Sequence, residues 1–231
     1  MIINYFIAKR HNFERSEEPF SFIALGRSVL RSSFALLIPV VKSFLTDMSA
    51  EAANLGMQVY GGHGFIRECG QEQLVRDTRI ATLYEGTTGI QALDLLGRKI
   101  LLSRGKSLKS FTMEVLGFCR DKSMISSNPY KRQMNKFIWP LSKAVANWQQ
   151  YSVRLAIKAK KDRDVVGSAS VDYLMYSGYI VMAYFWAQMA QAAYEKLGGE
   201  VENRDFYRAK IKTAEFYFER LLPRTKSHAA T

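Results

Sequence analysis

The sequence holds only two cysteines, Cys69 and Cys119, far apart and without Cys-x-x-Cys or Cys/His spacing. A disulfide scaffold and a structural zinc site are thereby excluded as organising features, and reduced thiols in a cytoplasmic protein are expected. Histidine is scarce as well: His63 stands between two glycines with no second ligand at metal spacing, so it reads as a loop residue and no metal site is expected. No apolar run reaches the ~20 residues that a bilayer requires. The nearest approach, residues 179–194, carries Gln188 and Gln191 and reads as a buried bundle helix, so no membrane span is expected. Residues 1–8 are apolar, but Lys9 and Arg10 follow them instead of preceding them, which argues against an export signal. No segment shows the strict alternation of a half-buried strand, and no fixed-period repeat or low-complexity tract is present.

What remains is a chain of 231 residues, 48% of them hydrophobic, which is ample for a packed core. The apolar spacing is helical throughout, so the fold is read as all-α. Residues 20–31 and 34–55 predict two helices, with Pro39 either kinking the second or marking its first turn. Asp47, with Glu51 on the next turn, is a candidate start for a separate helix ending near Gly56 or Val59. Gly61, Gly62 and Gly64 interrupt regular structure. Residues 71–81 form a short helix, and a longer one runs from Thr88 to about Ser103. Arg104-Gly105-Lys106 then makes a joint. Beyond it, residues 108–122, 130–161, 168–197 and 203–222 are four helices with short links, the pattern of an up-and-down bundle. Trp139, Trp148, Trp186 and the tyrosines of residues 173–184 lie at helical spacing and are read as packing residues.

Acidic residues are short in one region. From Arg98 to Lys136 there are ten Lys or Arg against Glu114 and Asp121, the stretch from Arg154 to Arg163 is basic again, and the net charge is +12. Such a face could attract nucleic acid or anionic lipid. A solvated bundle face, or attraction for the phosphates of a small ligand, is the favoured reading, because no nucleic-acid motif accompanies the charge.

The richest stretch is Tyr84-Glu85-Gly86-Thr87-Thr88-Gly89-Ile90-Gln91. Thr88 with Gln91 three positions on reads as a capping box, so Glu85 sits in a loop at the mouth of a helix. Gly86 and Gly89 leave room for a ligand against the backbone, and the N–H groups of a first helical turn favour developing negative charge. If Ile80, Leu83 and Tyr84 partly desolvate Glu85, its carboxylate becomes a suitable general base. The alternative is a surface acid before a helix.

Together with Gln58-Val59-Tyr60-Gly61-Gly62-His63-Gly64-Phe65 and Val75-Arg76-Asp77-Thr78-Arg79-Ile80, this stretch resembles the C-terminal helical domain of flavin-dependent acyl-CoA dehydrogenases. Upstream, Ala35-Leu36-Leu37-Ile38-Pro39-Val40-Val41-Lys42, and downstream, Asp172-Tyr173-Leu174 and Phe218-Glu219-Arg220-Leu221-Leu222-Pro223, resemble the methylmercaptopropionyl-CoA dehydrogenase-like branch, which has an additional C-terminal helical domain.

The resemblance implies a four-helix-bundle-like domain over residues 34–105, a second helical bundle over residues 106–225, and an unmatched helical segment over residues 1–33. It implies that Glu85 is the base that takes the α-proton of an acyl-CoA thioester, that Gln58, Gly61, Gly62 and Thr87 bind FAD, and that Tyr84 and Gly86 contact substrate. Gly89 stands where many members of the family have glutamine, so that contact is made otherwise. The amino-terminal helical domain and middle β-domain of the family have no counterpart in the sequence. The expectation is therefore the C-terminal part of a dehydrogenase, inactive by itself and associating with copies of itself or with a separately encoded amino-terminal part. A non-catalytic helical module for oligomerisation or nucleic-acid binding is the alternative.

Overall fold

The computed structural model describes residues 20–123 and 127–230, with side chains from Ser33 onward. Expectations for residues 1–19 lie outside the described residues. Among the described residues every regular element is helical, as the apolar spacing predicts.

The first helix, α1 (Phe20–Tyr60), is one uninterrupted rod of 41 residues where two or three helices are expected from the sequence. The expected breaks are overridden by tertiary partners. Ser33 is buried and shares a hydrogen bond with Ser110 at 3.3 Å, so the Ser32-Ser33 pair continues the helix. Asp47 begins no new helix, because its carboxylate turns sideways to accept from Thr88 Oγ1 at 3.1 Å. Pro39 removes one donor from the ladder, yet it lies inside the helix, and Leu36, Leu37, Val40 and Phe44 around it are all buried. The segment Ser33–Tyr60 is long and apolar enough to cross a bilayer, a test that the core helix of a soluble protein also passes.

A turn at Gly61 leads to α2 (Gly62–Phe65), then α3 (Gln71–Ala81) packs back along α1. Helix α4 (Thr88–Leu93) widens into a π-helix over Asp94–Leu102, which buries Leu95, Leu96 and Ile100. At the expected joint, Arg104 and Gly105 both have left-handed backbones, with φ of 51° and 72°. There follow α5 (Lys106–Lys122), α6 (Lys131–Lys161), α7 (Asp164–Leu197) and α8 (Arg204–Phe216), the last continuing as a π-helix over Tyr217–Leu221. A short α9 (Thr225–Ala229) closes the described chain. It is fastened to α7 by His228 Nδ1 at 2.8 Å from Asp172 Oδ1, while Arg224 just before it reaches Glu51 of α1 at 2.8 Å.

Helix α7 is the axis of the molecule. A helix apolar on all sides must be enclosed, and α7 is: it packs against α1, α4, α6, α8 and α9. Its Gln191 is buried in a polar network, accepting from Asn128 Nδ2 at 3.0 Å and donating to Glu195 at 2.6 Å. The apolar run over residues 173–194 invites association in the sequence; in the structure it is spent inside the chain, with Leu174, Ile180, Val181, Ala187 and Ala190 fully buried. One close approach shows how tightly the core is fitted: a Cβ on Gly178 would fall 2.2 Å from the Phe44 ring of α1. The missing side chain lets Phe44 stack edge-on against Tyr179 at 4.9 Å.

Candidate active site

Glu85 lies in the loop between α3 and α4, and α1 grips that loop at both ends. On the near side, Lys42 Nζ donates to the Ala81 carbonyl at the end of α3 (3.1 Å) and lies 5.7 Å from the centre of the Tyr84 ring. On the far side, Asp47 accepts from Thr88 at the first residue of α4. Between the clamps the backbone makes a tight reversal in which Glu85 and Gly86 both have positive φ, 57° and 90°. Glycine enters that region freely; glutamate does so at a cost of roughly 1–2 kcal/mol. The turn is held by Gln91, whose Nε2 donates to the Glu85 carbonyl at 3.1 Å. A Cβ on Gly86 would stand 3.1 Å from the same amide, so that glycine serves both the turn and the approach of Gln91.

The capping box expected from Thr88 and Gln91 does not form. Thr87 is the residue at the N-cap, with an extended backbone and no side-chain capping bond. Thr88 spends its hydroxyl on Asp47 and Gln91 spends its amide on Glu85, so the same residue types secure the loop to the body instead of capping the helix. The predicted desolvation of Glu85 is also not provided by its neighbours, since Ile80, Leu83 and Tyr84 are themselves half exposed and Glu85 is open to solvent. Among the described residues its carboxylate has no hydrogen-bond or ion-pair partner.

The predicted site residues fall into two groups. Tyr84, Glu85, Gly86 and Thr87 form the loop, while Gln58, Gly61 and Gly62 cluster at the end of α1. Gln58 is eleven residues beyond Asp47 on the same helix, about 16 Å along its axis at 1.5 Å per residue. No small ligand bridges the two groups; an extended ligand, or a second copy of one group, is required. Apolar side chains next to each group are uncovered: Val59 is 87% and Phe65 76% exposed, and Ile90 is exposed as well. Lys42, Asp47 and Gln91 are the residues that sequence reasoning missed. A lysine and an aspartate inside an otherwise apolar helix were the available signal. Among the described residues no cluster of His, Cys, Asp or Glu is placed to hold a metal ion, and His63 is exposed.

The fold is all-helical and presents an acid on a strained, clamped turn. Residues 30–101 match the family described as acyl-CoA dehydrogenase, C-terminal domain, and residues 111–231 match that described as acetyl-CoA dehydrogenase C-terminal like. The chain belongs to the acyl-CoA dehydrogenase family and carries its C-terminal helical domains. It is 35% identical over 199 residues to the 3-methylmercaptopropionyl-CoA dehydrogenase of Ruegeria pomeroyi, covering 85% of this chain and 32% of that protein. It is 30% identical over 196 residues to the broad-specificity linear acyl-CoA dehydrogenase FadE5 of Mycobacterium tuberculosis, covering 81% and 31%. A butyryl-CoA dehydrogenase of Syntrophomonas wolfei is 25% identical over 208 residues, covering 85% and 32%. The chain thus spans about a third of the length of these relatives.

Dehydrogenases of this family typically use FAD. The residues at the end of α1 suit such a group. A Cβ built on Gly61 or Gly62 would meet nothing within 4 Å, and the Gln58 side chain is exposed beside them, so there is room for an extended ligand, although the Gly61 N–H and carbonyl are taken by Gln58 and Gly64. Thr87, near the acid, is exposed as well.

Proposed function

We propose that this chain is the C-terminal part of an FAD-dependent acyl-CoA dehydrogenase, with Glu85 as the base that removes the α-proton of an acyl-CoA thioester. The observation that carries the reading is the strained turn at Glu85. Its main chain is fixed by Gln91, while its carboxylate engages no other described group. An acid held by its backbone and free at its tip can be aimed at a substrate carbon without first breaking a bond within the protein.

In this reading the bond between the α-carbon and its hydrogen breaks as a Glu85 carboxylate oxygen takes the proton. The Glu85 main-chain N–H donates to the thioester carbonyl and stabilises the charge that develops there. Tyr84 and Gly86 flank the acyl chain beside it. Gln58, Gly61, Gly62 and Thr87 hold FAD, which when bound supplies the acceptor for the hydride leaving the β-carbon. The exposed apolar collar of Ile80, Leu83, Tyr84 and Ile90 must be covered to keep water from the reacting carbons. That cover comes from an amino-terminal part of the enzyme or from a second copy of the chain. Alone, the chain holds FAD weakly, because a cofactor seated on an open face lacks most of the enclosure of a binding pocket. Free thiols at Cys69 and Cys119 fit a cytoplasmic setting.

The test is anaerobic bleaching of bound flavin on adding acyl-CoA to the assembled enzyme. Glu85→Gln keeps shape and loses the base, so reduction should slow by roughly four orders of magnitude or more, the upper end of general-base effects. Bleaching of the Gln variant at the parent's rate would move the base to another residue.

A further inference from the structure

Helix α6 contains no acidic residue at all over its 31 positions. Its buried side chains, among them Met134, Phe137, Leu141, Val145 and Trp148, face the core. Diametrically opposite, at helical spacing, runs a single exposed line of Arg132, Trp139, Lys143, Arg154, Ile157 and Lys161. From first to last the line spans 29 residues, about 44 Å of helix. Among the described residues none of these four cations meets a carboxylate. Lys143 rests 5.4 Å above the Trp139 ring, and the acid from α8 that reaches this helix, Glu215, is taken by Lys136.

The basic stretch from the π-helix through α5 is partly compensated. Arg98 is paired with Asp94, Arg120 with Asp121 and Lys122 with Glu195. Lys99, Arg104, Lys106 and Lys109 of that region also meet no carboxylate among the described residues, but on α6 the uncompensated cations form one line along a helix that has no acidic residue.

We propose that this face of α6 docks on an anionic lipid surface, lying flat along it without entering the hydrocarbon. Charge complementarity selects an anionic partner, and the apolar members of the line decide which kind. Trp139 is 65% exposed and Ile157 56% exposed, in register with the cations. Phosphate-backbone contacts make no use of an isoleucine, whereas the boundary between headgroups and acyl chains accommodates both an aliphatic side chain and an indole. A long convex helix edge also touches a plane along its whole length. Each Lys or Arg near an anionic leaflet strengthens partitioning about fivefold.

The experiment is co-sedimentation of the chain with vesicles of phosphatidylcholine alone or with about one part in three phosphatidylserine, at about 0.1 M salt. Binding is expected to the anionic vesicles only and to weaken with added salt. The variant R132Q/K143Q/R154Q/K161Q should lose several hundred-fold in partitioning while keeping the parent's helical circular dichroism and melting midpoint, because all four side chains are exposed. Trp139→Ser should lose about tenfold on the same vesicles with the charge intact. Tryptophan fluorescence should shift to the blue on binding in the parent and not in Trp139→Phe, since Trp148 is already buried and Trp186 lies on α7 against Tyr217, off this face. Equal binding to both vesicle types, unchanged binding of the quadruple variant, or no binding at all would overturn the proposal. So would a duplex DNA oligonucleotide that binds more tightly than the anionic vesicles at the same salt and is lost in the quadruple variant, which would assign the line to nucleic acid.

Discussion

The side-chain amide of Gln91 donates to the main-chain carbonyl of Glu85 at 3.1 Å, tying the first turn of α4 back to the residue that precedes it in the loop. A hydrogen bond of this kind contributes only about 1 kcal/mol to stability and less where water competes, so its value lies in fixing a direction. Because Lys42 and Asp47 clamp the two ends of the same loop onto α1, Gln91 controls the remaining freedom, which is the peptide orientation at Glu85.

Gln91→Ala should therefore lower the rate of flavin reduction in the assembled enzyme by roughly tenfold to a hundredfold, the cost of misplacing a reacting group by about 1 Å. The melting midpoint of the isolated chain should barely move. Steady-state and stopped-flow rates measured beside a thermal melt separate the two effects, and an unimpaired rate would show that the clamps alone suffice.

At Gly178 the prediction concerns the core. A methyl group at this position would overlap the Phe44 ring at 2.2 Å, and Phe44 is buried with no space to yield. Gly178→Ala should destabilise the chain by at least about 1–3 kcal/mol, the usual range for overpacking. Phe44→Leu costs stability alone, yet it should be less harmful in the Gly178→Ala background than in the parent. A double-mutant cycle by urea denaturation reads this coupling, and strict additivity of the two changes would contradict the contact.

Element type was legible along almost the whole chain, because the 3.6-residue apolar period of α5, α6 and α8 is strong, α7 is a long apolar run, and the breaks at Arg104-Gly105 and Gly198-Gly199 are local. The bounds Gln71–Ala81 agree with expectation for the same reason. Misreadings arose where a distant residue decides. The continuity of α1 depends on Ser110 and Thr88, which lie 77 and 41 positions away. The π-helical widening over Asp94–Leu102 carries no local signal. In the site, Glu85 stood out in the sequence. Lys42 did not, and Asp47 and Gln91 were read as a helix start and a capping residue, since their roles in the loop exist only once α1 lies beside it.

Burial raises the pKa of the Glu114 carboxyl on α5, an effect that its hydrogen bond from Tyr184 only partly opposes. An acid with a raised pKa in the folded state holds its proton more tightly there than in the unfolded chain. Stability from this group is then full below the unfolded carboxylate pKa and is lost as pH rises through the folded value. Urea midpoints measured from pH 4 to pH 8 should include such a fall in the parent, and Glu114→Gln should remove that component and leave the variant the more stable of the two near neutrality. A parallel pH profile for both proteins would mean that Glu114 has no such linkage.

The last prediction separates the strain at Glu85 from its proposed chemistry. With φ of 57° this residue occupies a conformation that a glutamate adopts at a cost and a glycine does not. Glu85→Gly removes roughly 1–2 kcal/mol of strain but adds about 0.5–1 kcal/mol of unfolded-state entropy, so the net change should be a gain of up to about 1.5 kcal/mol. Glu85→Asn, which tolerates the left-handed region without the glycine penalty, should also match or exceed the parent. Glu85→Ala keeps the strain and should gain nothing. Urea denaturation of the isolated chain measures all three without any cofactor or substrate. The outcome bears on function because an exposed acid that weakens its own fold, and that no other described group engages, is accounted for by what it does to a substrate and not by what it does for the protein. If Glu85→Gly instead lowered stability by more than about 1 kcal/mol, the side chain would be holding the loop together, and the residue would need no chemistry to explain its place.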